Sequence, residues 1–177
     1  GRIKLAAANI DGQRRITGLA INYANERKQF GVSISTFGAI RKKIAEMTTG
    51  IFVSEAAAYR AAKNVEDQIE EFVAAGSTHE EAELKALEEY AVECSILKVY
   101  VSDLTQHIAD EGIQIYGGMG FSADAPMEAA WRDARIGRIY EGTNEINRLL
   151  AVGMLIKKTM KGELDLLKPA MAIGKEL

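Results

Sequence analysis

Residues 37–72 read FGAIRKKIAEMTTGIFVSEAAAYRAAKNVEDQIEEF and contain no proline. Their apolar side chains recur every three or four positions, through Ile40, Ile44, Met47 and Ile51 and onward to Phe72. Because an α-helix completes a turn in about 3.6 residues, this spacing gathers the apolar side chains on one face. The stretch therefore predicts a long amphipathic helix that buries one side.

The segments on either side repeat this pattern. Apolar residues are in helical register over 87–108 and, more briefly, over 16–24. No segment alternates with a period of two, so we predict no β-sheet. Long helices with short connections indicate an all-α fold, an antiparallel four-helix bundle. The two central helices are each expected to be about 55–60 Å long.

Turn residues mark the predicted boundaries. Ser77 followed by Glu80 fits a capping box at a helix start, and the glycine-rich segment 117–121 ends the third long helix. A short helix near 127–133 and a last helix near 143–158 follow. We expect the bundle to occupy residues 1–158, with a tail at 159–177 that begins a truncated C-terminal extension. Since the chain opens with glycine, we also expect it to be part of a longer protein.

Composition excludes several classes of protein. The 177 residues are 47% hydrophobic and 27% charged, which is typical of a globular domain and not of disorder. Lys and Arg number 22 against 25 Asp and Glu, a net charge of −3 that argues against nucleic-acid binding. The single cysteine, Cys94, rules out an internal disulfide and a cysteine-based zinc site. No stretch has the length and apolarity of a membrane span or a signal peptide.

Familiar catalytic motifs are also missing. Neither His79 nor His107 has a glutamate three residues before it, as a di-iron bundle requires, and we expect no metal. There is no phosphate-binding loop and no nucleophile elbow. The glycines at 117, 118 and 120 do not match the dinucleotide fingerprint. On spacing alone they indicate a helix terminator.

Glu141 stands out because Gly142 follows it at a predicted helix start. Three arginines precede it: Arg132, Arg135 and Arg138. A carboxylate here can cap the helix, where the helix dipole stabilises it. It can instead be a general base that projects from a turn into a cleft. These residues alone favour the cap.

Three segments in order carry a family resemblance: NERKQFG at 25–31, QIYGGMGF at 114–121, and RDARIGRIYEGTN at 132–144. Together they resemble the C-terminal helical domain of acyl-CoA dehydrogenases over about residues 1–155. Gly38, in TFGAI, stands where many members carry Gln, a variant similar to the very-long-chain branch.

The resemblance implies an FAD-dependent enzyme that converts a fatty acyl-CoA, here expected to be long-chain, to trans-2-enoyl-CoA. Glu141 matches the base that removes the α-proton, and Arg2, Tyr140 and Gly142 match positions near the substrate. The residues implied to contact flavin are Arg27, Gln29, Phe30, Gln114, Ile115, Tyr116, Gly117, Gly118, Thr143 and Glu145.

The same resemblance implies partners and a location. Electron-transferring flavoprotein is the expected electron acceptor, and the subunits are expected to form a homodimer or tetramer. The location implied is the cytoplasm, or the mitochondrial matrix in a eukaryote. Membrane association is expected only through a region beyond this C-terminus.

Two alternatives stay open. An acyl-CoA oxidase shares the site but passes electrons to oxygen. A non-catalytic helical scaffold would keep the bundle only for dimerisation, although it would need neither Glu141 nor Arg27 nor the glycine-rich turn. The isolated chain is expected to be colourless and inactive, because in the family a middle domain holds much of the flavin and acyl pocket.

Overall fold

The computed structural model describes residues 1–173, which are almost entirely helical. Within these residues, seven α-helices follow one another: α1 (Arg2–Glu26), α2 (Gly38–Ala74), α3 (His79–Glu89), α4 (Ala91–Tyr116), α5 (Pro126–Ile136), α6 (Asn144–Met160) and α7 (Leu167–Ile173). Short 3-10 helices span Ile34–Thr36 and Gly117–Phe121. The prediction of an all-α bundle is confirmed. None of the helices in the described part combines the length and apolarity needed to cross a bilayer.

The first and third long helices, α1 and α4, lie side by side and run in the same direction. Near their middle, the Nε2 atom of Gln13 donates hydrogen bonds to the Val101 carbonyl oxygen and to Thr105 Oγ1, both at 3.0 Å. Near their C-terminal ends, the rings of Tyr23 and Tyr116 stack with centroids 4.0 Å apart. Both helices therefore begin at one end of the bundle and finish at the other.

The remaining two bundle helices run the opposite way. Lys43, early in α2, pairs with Glu111, late in α4, while Ala61 packs with Leu97. Helix α6 also runs antiparallel to α4. Its Arg148 pairs with Asp103 at 2.5 Å and its Lys158 with Glu89, before the start of α4, at 2.6 Å. Helices adjacent in the bundle sequence α1, α2, α4, α6 are thus antiparallel.

The main core lies between α1, α2, α4 and α5. Met47, Ile108 and Met127 are fully buried there. Burial of each such side chain is worth about 1.5–3 kcal/mol. Smaller residues of α1, including Ala20 and Ala24, let the helices approach one another at the same level.

The predicted third long helix is broken at Tyr90. Its φ of −93° and ψ of 21° separate α3 from α4. Consequently α2, with 37 residues, reaches the predicted length of about 55 Å, but α4, with 26 residues, spans only about 39 Å. The break lets α3 follow α2 while α4 packs against α1. The expected length was therefore wrong for this helix.

The predicted cap of α3 was wrong by one residue. Thr78, not Ser77, is the N-cap: its Oγ1 accepts a hydrogen bond from the Glu81 amide at 3.3 Å, and the Glu81 carboxylate accepts one from the Thr78 amide at 3.2 Å. Both pairs satisfy the capping-box spacing, and only the backbone path decides between them.

A small hairpin contradicts the prediction of no sheet. Strands β1 (Lys28–Gln29) and β2 (Val32–Ser33) pair antiparallel. The turn between them has positive φ at both central residues, Phe30 (55°) and Gly31 (83°), as a type I′ hairpin turn requires. Strands of two residues are too short to show any alternation in sequence, so the turn geometry, not a hydrophobic pattern, forms this hairpin.

Candidate active site

Glu141 lies on a strained turn between α5 and α6. Its φ is 57° and that of Gly142 is 84°, so both residues are in the left-handed region. For a residue with a side chain this conformation costs about 1–2 kcal/mol. Thr143 follows as the N-cap of α6, and its Oγ1 accepts a hydrogen bond from the Ile146 amide at 3.3 Å. Because such strain needs support from its surroundings, the contacts under the turn are informative.

Two buried side chains bind the inner side of this turn. Asn147 Nδ2 donates hydrogen bonds to the carbonyl oxygens of Gly142, at 2.7 Å, and Thr143, at 3.1 Å. Lys98 Nζ, from α4, donates to the same Gly142 oxygen at 2.8 Å and to Asn144 Oδ1 at 2.7 Å. Lys98, Asn144 and Asn147 are all completely buried. The Gly142 carbonyl is thus held by two donors from the core.

The Asp103 carboxylate connects this network to residues before and after the turn. Asn144 Nδ2 donates to Ser102 Oγ at 3.0 Å and to Asp103 Oδ1 at 2.9 Å. Asp103 pairs in turn with Arg138 before the turn, at 2.7 Å, and with Arg148 after it, at 2.5 Å. The turn and the residues on either side of it are consequently bound to α4 through Lys98, Ser102 and Asp103.

Only one of the three arginines that precede Glu141 joins this network. Arg138 does so through Asp103. Arg132 instead pairs with Glu128 one turn earlier on α5, at 2.9 Å, with an exposed side chain. Arg135 is also exposed. The arginines therefore do not crowd Glu141 as the sequence suggests, because α5 carries two of them on its outer surface.

Two pKa values are lowered here, with opposite effects on the charged form: the charge of Lys98 is disfavoured and that of Glu145 is favoured. Burial lowers the pKa of Lys98, because an ammonium group loses its hydration inside the protein. Hydrogen bonds from its own amide and from Thr143 lower the pKa of the exposed Glu145, and Arg148 and Arg138 act in the same direction. The first turn of α6 thus carries an ionised carboxylate at neutral pH.

The Glu141 side chain is exposed and lies at the end where α1 begins. A methyl group built on Gly1 would come within 2.6 Å of its Oε2 atom. Arg2 is next along α1, half-buried, with an Nε atom that has no hydrogen-bond partner within residues 1–173. In the same described part, the amide groups of Glu141 and Gly142 donate no hydrogen bond to other protein groups.

Tyr140 borders a cleft beside the turn. The cleft measures about 410 Å³, runs between α1 and α5, and is also lined by Asn9, Arg15 and Asp133. Tyr140 is 41% exposed, so it keeps a free surface for a ligand. The structure therefore brings Arg2, Tyr140 and Gly142 to the same end of the bundle as Glu141.

A second group of candidate residues lies at the opposite end. Arg27 directly follows α1, and Gln29 and Phe30 lie on the hairpin, all exposed. Gly117 and Gly118 follow α4, which ends beside α1, and no atom lies within 4 Å of a methyl group built on either glycine. The 25 residues of α1 separate this group from Glu141 by about 37 Å.

The residues just before these glycines have partly structural roles. Ile115 is only 3% exposed and belongs to the main core. The Tyr116 hydroxyl donates to the Leu19 carbonyl oxygen at 3.4 Å, in addition to the ring stacking on Tyr23. Gln114 is exposed. The Ile115 side chain is therefore not available to a ligand.

Sequence reasoning missed the network beneath Glu141. The sequence feature that could have revealed this network is the segment SILKVYVS at 95–102, in which Lys98 is the single charge in an apolar run. A lysine at such a position is buried only when partners satisfy it. Those partners, Asn144 and the Gly142 carbonyl, lie more than 40 residues away in sequence, so the local pattern does not identify them.

No group of three or more His, Cys, Asp or Glu side chains in the described residues has an arrangement that holds a metal ion.

Comparison with known proteins confirms the family that the three motifs indicate. The family described as acyl-CoA dehydrogenase, C-terminal domain, matches residues 1–155. Over 177 residues, all of this chain and 30% of the relative, it is 41% identical to a probable acyl-CoA dehydrogenase of Bacillus subtilis (strain 168). Over 149 residues it is 37% identical to the very long-chain specific acyl-CoA dehydrogenase, mitochondrial, of Homo sapiens, covering 84% of this chain and 20% of that protein.

A solved structure agrees as well. The crystal structure of an acyl-CoA dehydrogenase complexed with FAD from Bacillus anthracis matches with a TM-score of 0.88 and 39% identity, over 99% of this chain and 30% of that one. The chain spans less than a third of the length of these relatives. From the family match and the shared fold, the chain belongs to the acyl-CoA dehydrogenase family and corresponds to its C-terminal domain.

Proposed function

We propose that the full-length protein containing this chain is an FAD-dependent acyl-CoA dehydrogenase that acts on long-chain acyl-CoA, with Glu141 as the catalytic base. The observation that carries this proposal is the exposed Glu141 carboxylate on a left-handed turn that a buried network holds in place. A capping role does not account for it, because Thr143 is the cap of α6. The similarity to a very long-chain relative supports the choice of substrate.

The proposed chemistry uses two groups of the turn. The Glu141 carboxylate takes the proton from the α-carbon, and the electrons of that C–H bond form the α,β double bond as the β-hydrogen leaves with its electron pair. An α-hydrogen is a very weak acid, so the thioester carbonyl must be polarised. The amide of Glu141, which has no partner within residues 1–173, is available to donate to that carbonyl oxygen. Bound FAD supplies the acceptor for the β-hydrogen and its electron pair.

The far end of the bundle has the chemistry to hold the pyrophosphate part of FAD. Arg27 offers an exposed guanidinium group, whose planar donors suit phosphate oxygens. The open space at Gly117 and Gly118 lets backbone amides approach a ligand closely. Gln29, Phe30 and Gln114 lie exposed around them. At the Glu141 end, the half-buried N-cap Thr143 and the exposed Glu145 lie at the start of α6 and are proposed to face the flavin.

The separation of these two groups supports an assembly of subunits. Along α1 they are about 37 Å apart, on opposite ends of one bundle. We infer that Arg27 and the glycine-rich turn serve the flavin of a neighbouring subunit, while Glu141 serves its own. A homodimer or tetramer follows from this division. Electron-transferring flavoprotein as acceptor, and a cytoplasmic or mitochondrial-matrix location, follow from the family resemblance.

The test uses the full-length flavoprotein without oxygen. Palmitoyl-CoA should bleach the visible flavin absorbance of the wild type, whereas a Glu141→Gln variant should bind the ligand without bleaching. Glu128→Gln, on the outer surface of α5, is the matched control and should bleach normally. A wild-type flavoprotein that never bleaches with acyl-CoA, or a Glu141→Gln variant that bleaches at the normal rate, would overturn the proposal.

Oxygen uptake separates the dehydrogenase from the oxidase alternative. A dehydrogenase should turn over slowly with palmitoyl-CoA in air and rapidly once electron-transferring flavoprotein is added. Rapid oxygen consumption without that protein would assign the chain to an oxidase instead.

A further inference from the structure

Lys98 is a buried charge that no step of the proposed reaction uses. Its side chain is completely buried in the N-terminal half of α4. Its Nζ atom donates to the Gly142 carbonyl oxygen at 2.8 Å and to Asn144 Oδ1 at 2.7 Å. The ammonium group therefore touches both the turn that carries Glu141 and the first residue of α6.

A buried lysine at this position is energetically unfavourable if packing is its only role. Burying an ammonium group loses its hydration, and apolar residues of similar volume frequently replace buried charges without loss of stability. Methionine would fill nearly the same space. What methionine cannot do is donate hydrogen bonds to the two oxygens, of Gly142 and Asn144, that come together here.

The turn above Lys98 needs such support. Glu141 and Gly142 both have positive φ, and a residue with a side chain keeps this conformation only where its surroundings enforce it. Asn147 holds the Gly142 carbonyl from within α6, but Lys98 is the group that ties this carbonyl to a different helix. Through Asn144, the same ammonium group is connected to Ser102 and Asp103 on α4.

We propose that Lys98 is a positioning residue for proton abstraction: by holding the Gly142 carbonyl and Asn144 against α4, it fixes the backbone from which the Glu141 carboxylate projects. The inference rests on the proposed role of Glu141. Since Lys98 has no exposed surface, it cannot touch a substrate in the cleft. Its loss is therefore expected to slow the reaction without weakening ligand binding.

The test compares Lys98→Met with wild type in the full-length flavoprotein. Anaerobic stopped-flow with palmitoyl-CoA measures the rate of flavin reduction, and titration with trans-2-hexadecenoyl-CoA measures binding. We expect the reduction rate to fall by about 10- to 100-fold, because displacement of a catalytic group by about 1 Å has effects of that size. The dissociation constant should stay within about twofold. Ser95→Ala removes a buried hydroxyl from the same helix that bonds only to the Ala91 carbonyl oxygen, and should leave both values unchanged.

A double-mutant cycle with Glu141→Asp separates positioning from a general structural effect. If Lys98 acts through Glu141, Lys98→Met should slow the Glu141→Asp variant far less than it slows wild type, because the shortened carboxylate is already misplaced. Equal slowing in both backgrounds would overturn the inference. A reduction rate for Lys98→Met within about twofold of wild type would also overturn it.

Two further outcomes are decided by other variants. If Lys98→Met yields no flavoprotein, the same measurements on Lys98→Leu, which also has no hydrogen-bond donor, take its place with the same criteria. If Glu141→Gln reduces flavin normally, the proposed base is wrong, and the inference about Lys98 falls with it. An inactive Glu141→Gln beside a fully active Lys98→Met would overturn the inference alone.

Discussion

Lys98 and Gly142 are 44 positions apart in sequence, yet the lysine ammonium group donates a 2.8 Å hydrogen bond to the glycine carbonyl oxygen. This contact joins the N-terminal half of α4 to the turn that carries Glu141. The lysine is fully buried, whereas Glu141, one residue before the glycine, is exposed. A polar network inside the core thus supports the turn that carries the exposed carboxylate, which is the proposed base.

Gly142→Ala should destabilise the turn. The substitution places a side chain at a φ of 84° and within 3.1 Å of Asn147 Nδ2, which already donates to the carbonyl of the same residue. We expect a loss of about 1–3 kcal/mol in the free energy of unfolding, from backbone strain and displacement of the amide. Urea unfolding followed by circular dichroism measures it.

Gly153→Ala is the matched control on α6. No atom lies within 4 Å of the added methyl group, and the residue is inside a helix. Alanine there should stabilise by up to about 1 kcal/mol. Equal effects of the two substitutions would contradict the role given to the turn.

Gly120→Ala should be the most damaging alanine substitution within the glycine-rich turn after α4. Its methyl group would lie 2.7 Å from the Ile113 carbonyl oxygen and 2.9 Å from the Ile113 Cα atom, which are backbone atoms that cannot rotate away. We expect a loss of about 1–3 kcal/mol, as for other overpacked sites. At Gly118 the same change meets open space and should alter stability by no more than about 0.5 kcal/mol. Thermal unfolding of both variants tests this contrast.

Thr78→Ala should weaken the start of α3 by about 1 kcal/mol, because it removes the side-chain oxygen that accepts from the Glu81 amide. Ser77→Ala should cost less, since the Ser77 hydroxyl only accepts an exposed hydrogen bond from Lys85. Denaturation midpoints compare the two variants directly. A larger effect at Ser77 would return the cap to the position that the sequence first suggested.

Lys98 should make stability depend on pH in the alkaline range. Burial lowers its pKa in the folded chain below the ordinary value of 10.5, which the unfolded chain keeps. Between these two values the unfolded chain binds more protons, so the free energy of unfolding rises with pH across that window. Below the window this contribution is constant.

The Lys98→Met variant isolates this effect. Unfolding is measured for both proteins from pH 7 upward, and wild type should gain stability relative to the variant as the pH approaches 10.5. Other titrating groups cancel in the difference. A difference that stays constant over this range would show that the lysine titrates alike in both states.

Much of the fold could be predicted because helix periodicity is a local property. The spacing of apolar residues in 37–72 indicated α2 and its buried face, and the structure has that helix at the expected length. The glycines of 117–121 and the start of α6 near residue 143 were predicted from turn chemistry. The break at Tyr90 was not, since apolar spacing continues across it and only packing of α3 against α2 changes the direction of the chain.

The candidate site, too, could be predicted from sequence only in part. Three motifs in order indicate the family and include Glu141 and Arg27. They could be found from sequence because each motif is one continuous segment of the chain. Their placement at opposite ends of α1 and the burial of Lys98 beneath the turn depend on how α1, α4 and α6 pack together. Local pattern therefore establishes helices, turns and candidate residues, whereas hydrogen bonds between residues distant in the chain arise only when packing excludes water and brings donor and acceptor together.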